Sequence, residues 1–327
     1  MLVAGGRDAR PSARPAPQPL TPLGDDDPFA EGNEHLTPPE VWADRPGDTA
    51  PDTPGWRVRS VPNKFPALAQ TFGDNTIDGM GMRREMPNLL VGGEAGGMHE
   101  VIVNTARQVQ SLSELPIEEL GWAVDAWADR ISHHTADSRV HYAHLCVNER
   151  PEAGATIPHS HAQLFALPFV PAPVARERER MRAYFEHTQG RSLLEDLLIE
   201  EVRGGERLVA IDDDCALIAP FASPSPYRVT ILPRRREDRF EASASKGLGM
   251  LHKALAALKA TLGDDAGDAP PMNLWIRTKP GEADDYTWRI DIAPRLGQPA
   301  GMELGAGIGI NSVPPEVAAA ELREAIA

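Results

Sequence analysis

Two histidines two residues apart, His159 and His161, followed by Gln163 within ATIPHSHAQLFALPFV (residues 155–170), are the side chains of this sequence best placed for chemistry. On an extended strand, residues i, i+2 and i+4 share a face, so the spacing predicts that all three point the same way. The residues that follow, Leu164, Phe165, Ala166 and Leu167, are apolar and read as a buried strand. Polar groups in such a row carry a desolvation cost. That cost favours a site over the competing reading, a strand end with two solvated histidines. Neutral imidazole is a good nucleophile towards phosphorus. An amide such as that of Gln163 donates to a phosphoryl oxygen without adding a charge that would suppress the imidazole. Just upstream, Asn148 and Thr156 add amide and hydroxyl donors, and Gly154 and Pro158 constrain the approach loop. The chemistry indicated is phosphoryl or nucleotidyl transfer through a histidine adduct.

On these residues the chain resembles a known family. NER..AGATIPHSHAQLFALPFVP is similar to the active-site segment of the galactose-1-phosphate uridylyltransferase family, in the histidine-triad superfamily. The family pattern is an Asn, a Gly-containing loop, a Ser or Thr, then HxHxQ, and Asn148, Gly154, Thr156, His159, His161 and Gln163 match it in register. The resemblance implies that His161 is the nucleophile and that the His159 carbonyl holds its tautomer. Gln163, Thr156 and Asn148 would then stabilise charge on the phosphoryl oxygens. It further implies that Arg7 and Arg10 of GGRDARP approach the nucleotide and that Asn63 contacts base and ribose, with Phe65 packing nearby. A solvated basic turn and a polar loop are the competing readings of those two segments.

Many family members carry a CxxC zinc half-site in the segment that here reads DDDPFAEGNEHLTPPEV. Asp27 and Ala30 stand where the cysteines would be, and Gln108 stands at the third ligand position, leaving only His159. Structural zinc takes about four N or S ligands, so neither a structural zinc nor any other cofactor is expected. An Asp27–His159 hydrogen bond would take over part of the metal's orienting work.

The elements that must position these groups come in two runs. The first predicts strands near 61–67 and 99–104, a helix near 113–132, and strands at 140–147 and 161–167. The second predicts strands at 215–220 and 227–232, a helix near 242–262, and strands at 272–278 and 287–293. Two β-β-α-β-β runs point to a duplicated α+β fold. The resemblance makes these two tandem histidine-triad-like domains, each a mainly antiparallel sheet with a packed helix. The first, 1–172, would be catalytic and the second, 173–327, degenerate. Opposite His159, Ser160 and His161, the second run has Thr287, Trp288 and Arg289. Arginine stays protonated and cannot replace the histidine. Arg289 is read as a contact for a phosphate or sugar acid, in preference to a pair with Asp291. Residues 171–205, between the runs, are charged and helical in pattern. His133 and His134 are explained by the dipole at a helix C-terminus alone.

The segment 286–325 resembles the ADP-glucose phosphorylase branch of the family, and this leans towards adenine. Its Gly301, Gly305, Gly307 and Gly309 either let backbone amides approach an anion or serve bends. The resemblance covers nearly the whole chain, most strongly at 140–171 and 286–325.

The 327 residues suggest about two domains. The formal charge of −15 argues against a nucleic-acid polymer as partner. Two cysteines in apolar runs read as buried thiols, which together with a polar N-terminus and no long apolar segment suggest a cytoplasmic protein without a membrane span. The reaction expected from the resemblance is ping-pong transfer of a nucleoside monophosphate between nucleoside-diphosphate sugars and sugar 1-phosphates. The alternatives are a sugar-nucleotide or dinucleotide phosphorylase or hydrolase, with phosphate or water as acceptor, and a non-catalytic nucleotide-binding protein. A homodimer is implied by the resemblance.

Overall fold

Antiparallel strands whose residues alternate in polarity bury one face of a sheet and leave the other free for chemistry. A computed structural model describes residues 2–3, 20, 22–72, 95–264, 266–281, 283 and 285–326. In chain order the strands are β1 (Leu2–Val3), β2 (Trp42–Asp44), β3 (Val58–Pro62), β4 (Met98–Val103), β5 (Tyr142–Glu149), β6 (His161–Leu167), β7 (Leu208–Ile211), β8 (Cys215–Ile218), β9 (Val229–Pro233), β10 (Met272–Arg277), β11 (Arg289–Pro294) and β12 (Ile310–Asn311). The helices are α1 (Ile117–Thr135), α2 (Ala172–His187), α3 (Leu193–Gly204), α4 (Phe240–Leu262), α5 (Gly301–Ala306) and α6 (Pro315–Glu324). Ten strands form one antiparallel sheet in the order β2-β3-β4-β6-β5-β10-β11-β9-β8-β7, and β1 pairs in parallel with β12.

The fold is α+β, and both β-β-α-β-β runs are present: β3, β4, α1, β5, β6 and then β8, β9, α4, β10, β11. They do not form separate sheets. Strands β5 and β10 pair along Glu149↔Met272 to Cys146↔Trp275, so the two runs share one sheet with the seam at its middle. Helices α1 and α4 pack side by side on one face, burying Trp127, Leu145, Leu164, Leu255, Leu274 and Ile290 in a common core. Each such side chain contributes about 1.5–3 kcal/mol. The opposite face carries His161, Gln163 and Phe165 of β6, because successive strand residues alternate sides.

Residues 171–205 form α2 and α3, as the charge pattern predicts; α3 ends where Gly205 turns left-handed at φ 71°. Val174 of α2 packs with Tyr142 and Leu167, so this helix roofs one end of the open face. The strand expected at 61–67 instead runs Val58–Pro62. Asn63 Oδ1 accepts the Phe65 N–H at 2.8 Å, an Asx turn that breaks the strand before Pro66. The helix expected from residue 113 begins at Ile117, because 112–114 form a 3-10 turn capped reciprocally by Ser111 and Glu114.

Two further expectations change. His134 answers to more than a helix dipole: its Nε2 lies 2.7 Å from Glu100 Oε1, and Arg130 grips the same buried carboxylate at 2.7 and 2.9 Å. Those partners hold the Glu100 carboxyl down at about 2 against the opposing effect of burial. Two of the C-terminal glycines serve chain geometry: Gly307 caps α5 at φ 65°, and a Cβ on Gly309 would lie 2.5 Å from Pro224. Arg7 and Arg10 lie outside the described residues. No described helix is long and apolar enough to cross a membrane.

Candidate active site

His161 opens β6, directly opposite Val103 of β4. Its Nδ1–H donates to the backbone carbonyl of His159 at 2.8 Å. That bond fixes the tautomer and leaves the Nε2 lone pair free. Nε2 has no hydrogen bond to any described residue. The Phe29 ring packs against the imidazole at 5.1 Å between centroids. Burial is the first cause that pushes the His161 pKa below its ordinary value. A depressed pKa keeps the ring neutral, which is the nucleophilic form.

His159 does not join His161 and Gln163 in a row. Strand β6 begins two residues after it, and its fully buried ring turns inward. Nε2–H donates to the Thr105 carbonyl at 2.9 Å, and Nδ1 meets Asp27 Oδ2 at 2.7 Å. With Nε2 committed as a donor, one proton bridges Nδ1 and the carboxyl. The remaining Asp27 oxygen, Oδ1, accepts the Phe29 N–H at 3.0 Å. The expected Asp27–His159 hydrogen bond is thus formed.

Gln163 is held from the neighbouring strand by His99. The Ala67 N–H donates to His99 Nδ1 at 3.2 Å, so the neutral ring carries its proton on Nε2. Nε2–H then donates to Gln163 Oε1 at 3.1 Å, which leaves the Gln163 NH₂ free. Burial lowers the His99 pKa and favours this neutral form. Phe165 stacks on the His99 ring at 4.0 Å, and Gln70 bonds the His99 backbone on both sides. Asn63 Nδ2 sits 3.2 Å from the same Nε2, but its Oδ1 is taken by Phe65, so donor faces donor. The Asn63 amide therefore has a proton to spare. Phe65, at 84 % exposure, stands out from the same loop.

On the other side of β6, Asn148 of β5 receives a 2.7 Å hydrogen bond on Oδ1 from Asn273 of β10, which also donates to Ala153 O. The Asn148 NH₂ makes no hydrogen bond to a described residue and lies 4.0 Å from where a Cβ on Gly154 would stand. Thr156 lies exposed in the preceding loop and makes no hydrogen bond to a described residue. The open face of β6 and β5 thus carries one neutral imidazole with the unspent amide N–H groups of Gln163 and Asn148 beside it, an arrangement suited to a phosphoryl group; no contact ties Thr156 to them. His99 and Glu100 head HEVIV, a segment that the family resemblance also marks, and His99 takes a supporting place here. Asn273 is not among the residues the sequence reading names, and its signal is a lone polar residue in the apolar run MNLWI.

Arg289 is not brought to this site. Its Nε bonds Asp291 at 3.0 Å, Nη2 bonds Glu177 Oε2 at 2.8 Å, and Nη1 bonds the other Glu177 oxygen. The pair with Asp291, ranked second from sequence, is therefore present, and α2 supplies the carboxylate that sequence reading missed. Cys146 and Cys215 are both free thiols, pushed up to about 11 and about 12, in each case chiefly by burial.

The residues present do not fit a zinc ion. Ala30 has no donor side chain, Gln108 is exposed, and both nitrogens of His159 are already hydrogen-bonded. Among the described residues no three His, Cys, Asp or Glu side chains converge as metal ligands.

Residues 32–171 match the family model for the galactose-1-phosphate uridyl transferase N-terminal domain. This chain resembles the galactose-1-phosphate uridylyltransferase family. It is 28 % identical to an ADP-glucose phosphorylase of Arabidopsis thaliana over 94 % of this chain and 84 % of that protein. It is also 28 % identical to a galactose-1-phosphate uridylyltransferase of Thermotoga maritima, over 71 % of this chain and 75 % of that protein. The crystal structure of an Arabidopsis thaliana ADP-glucose phosphorylase with bound ADP-glucose superposes with a TM-score of 0.76 at 26 % identity, covering 98 % of this chain and 94 % of that one. The relatives are transferases or phosphorylases of sugar nucleotides, and the fold is theirs over nearly the whole length.

Proposed function

We propose that the protein transfers a nucleoside monophosphate from a nucleoside-diphosphate sugar to a phosphorylated acceptor through a nucleotidyl-His161 intermediate. The observation that carries the reading is the His161 ring, neutral, held at Nδ1 by the His159 carbonyl and free at Nε2. Nε2 attacks the α-phosphorus; a P–N bond forms as the P–O bond to the sugar phosphate breaks, and the sugar phosphate leaves. The positive charge that the ring acquires is stabilised at Nδ1–H by the His159 carbonyl. The free amide protons of Gln163 and Asn148 and the Thr156 hydroxyl donate to phosphoryl oxygens as charge shifts onto them. An acceptor phosphate oxygen then attacks phosphorus, the P–N bond breaks, and its electron pair returns to Nε2. Splitting one displacement into two lets the same site run in both directions.

Two acceptors fit this scheme, a hexose 1-phosphate or inorganic phosphate. The long match to an ADP-glucose phosphorylase favours phosphate as the second reading. The test is to load the enzyme from a panel of UDP-, ADP- and GDP-sugars, follow the mass gain, and then offer each acceptor. Discharge by sugar 1-phosphate marks a transferase, discharge by phosphate a phosphorylase. Binding of a sugar nucleotide with no mass gain would leave only a nucleotide-binding protein.

A further inference from the structure

The inner wall of the site raises a question that the transfer reaction leaves open: what fixes the His159 carbonyl, on which the His161 tautomer depends? The carbonyl belongs to a residue outside regular structure, in the bend before β6. Its peptide plane is held from the far side by the Ser160 N–H bond to Val109 O at 2.8 Å, and the His159 side chain is the second hold; a carbonyl loosened there would let the imidazole turn its other nitrogen to phosphorus. Here the His159 ring is clamped at both ends, by Asp27 at 2.7 Å and Thr105 O at 2.9 Å, with Asp27 and His159 both buried. Asp27 is itself fixed: Phe29 N–H donates to its side chain, and Asn33 Nδ2 donates to its backbone carbonyl at 2.9 Å. The loop that would supply two metal ligands in a zinc-bearing relative is therefore closed by hydrogen bonds alone.

We propose that Asp27 is a positioning residue for the transfer reaction: through the His159 side chain it sets the carbonyl that orients His161, and it does so with no metal at this position. The chain of effects is Asp27 carboxyl, His159 ring, His159 carbonyl, His161 Nδ1–H. Asp27 touches neither substrate nor reacting atom. This inference rests on the transfer reading given above for His161.

The clamp needs a hydrogen bond, not a negative charge, and this makes it testable by conservative rescue. In Asp27→Asn the amide oxygen still accepts from Phe29 N–H while its NH₂ donates to His159 Nδ1. In Asp27→Ala both bonds are lost. The experiment combines metal analysis of the purified full chain, melting temperature with and without a strong chelator, and the rate of nucleotidyl-enzyme formation by quenched intact mass. The expected results are no bound zinc, no chelator effect on melting, and labelling slowed about 10- to 100-fold in Asp27→Ala, the range for lost ligand-orienting bonds. The concentration dependence on sugar nucleotide should be unchanged, and Asp27→Asn should label within a few-fold of the parent. Stoichiometric zinc or a chelator-induced drop in melting temperature overturns the metal-free clamp. A folded Asp27→Ala that labels at the parent rate, or an Asp27→Asn as slow as Asp27→Ala, overturns the positioning role. The metal and melting measurements need no turnover, so they decide the clamp even if the parent takes no label, a result that would count against the transfer reading instead.

Discussion

Strands β6 and β11 occupy the same place in the two runs, and their open faces have opposite fates. Each lies between two partners: Gln163 pairs with Val101 and Cys146, Asp291 with Thr230 and Trp275. Each is preceded by the same backbone bond, Ser160 N–H to Val109 O in one and Trp288 N–H to Glu237 O in the other, both 2.8 Å. By this register His161 corresponds to Arg289 and Gln163 to Asp291. On β6 the polar groups are anchored at one end only, leaving Nε2 of His161 and the NH₂ of Gln163 unspent. On β11 the network is closed: Arg289 spends all three nitrogens on carboxylates, and Asp291 accepts from Arg289, Arg228 and Thr230. Those partners hold the Asp291 carboxyl at about 2 against its burial. A reactive face needs anchored groups with a valence to spare; a satisfied face is structure.

The sharpest break of this comparison is His161→Asn, which removes the lone pair but keeps a polar side chain of similar reach. Turnover with any sugar nucleotide should fall about 10⁴-fold or more, as for loss of a covalent nucleophile, with the melting temperature little changed. Turnover near the parent rate would move the chemistry elsewhere. Arg289→Met should do the reverse. It strands Glu177 and part of Asp291, costing about 2–3 kcal/mol in urea unfolding. That is less than the roughly 3–5 kcal/mol of a fully buried pair because Glu177 reaches water. Label on His161 should still form in the folded protein, and its loss would return Arg289 to the substrate.

A pH measurement separates the two runs again. Glu149 of β5 accepts Leu112 N–H and the Ser111 hydroxyl at 2.7 Å each, and burial pushes its pKa up to about 7. In the second run Thr278 takes the corresponding role, accepting Phe240 N–H at the start of α4. A carboxyl whose pKa is raised by folding binds its proton more tightly when folded. Its stabilising contribution is complete below its ordinary value near 4.5 and lost as pH rises through about 7. Glu149→Gln should flatten that fall and leave the protein about 2 kcal/mol more stable than the parent at pH 8, whereas Thr278→Val, which strips hydrogen bonds from the Phe240 N–H and from the Glu241 carboxylate, should lower stability without a step near pH 7. Parallel pH profiles for parent and Glu149→Gln would remove Glu149 as the cause. The smallest effect belongs to His99→Ala, which frees Gln163. We expect about a 10-fold loss of labelling rate with binding of the sugar nucleotide retained, and a loss confined to binding would make His99 a substrate contact instead.

Much of this was legible in the sequence because the signals are periodic. The alternation around Leu164 and Ile290 and the helical spacing of α1 and α4 place the doubled fold, and HxHxQ marks the strand that carries the proposed nucleophile. What stayed hidden is what depends on partners distant in the chain. Arg289 reads as a free cation until α2 delivers Glu177, 112 residues away. His159 reads as a strand residue until Asp27, 132 residues away, draws its ring inward. The end of β3 was missed because an Asx turn at Asn63 is a single side-chain bond, with no period to announce it.

The central claim is a phosphorus–nitrogen bond on one ring, and phosphoramidates survive alkali while breaking in acid. The direct measurement is to incubate the protein with a nucleotide sugar, digest it at alkaline pH and locate the adduct by peptide mass. The account predicts a nucleoside monophosphate on His161, discharged by acid and absent from His161→Asn. An adduct on any other residue, or turnover with no adduct under conditions that trap one, would contradict it.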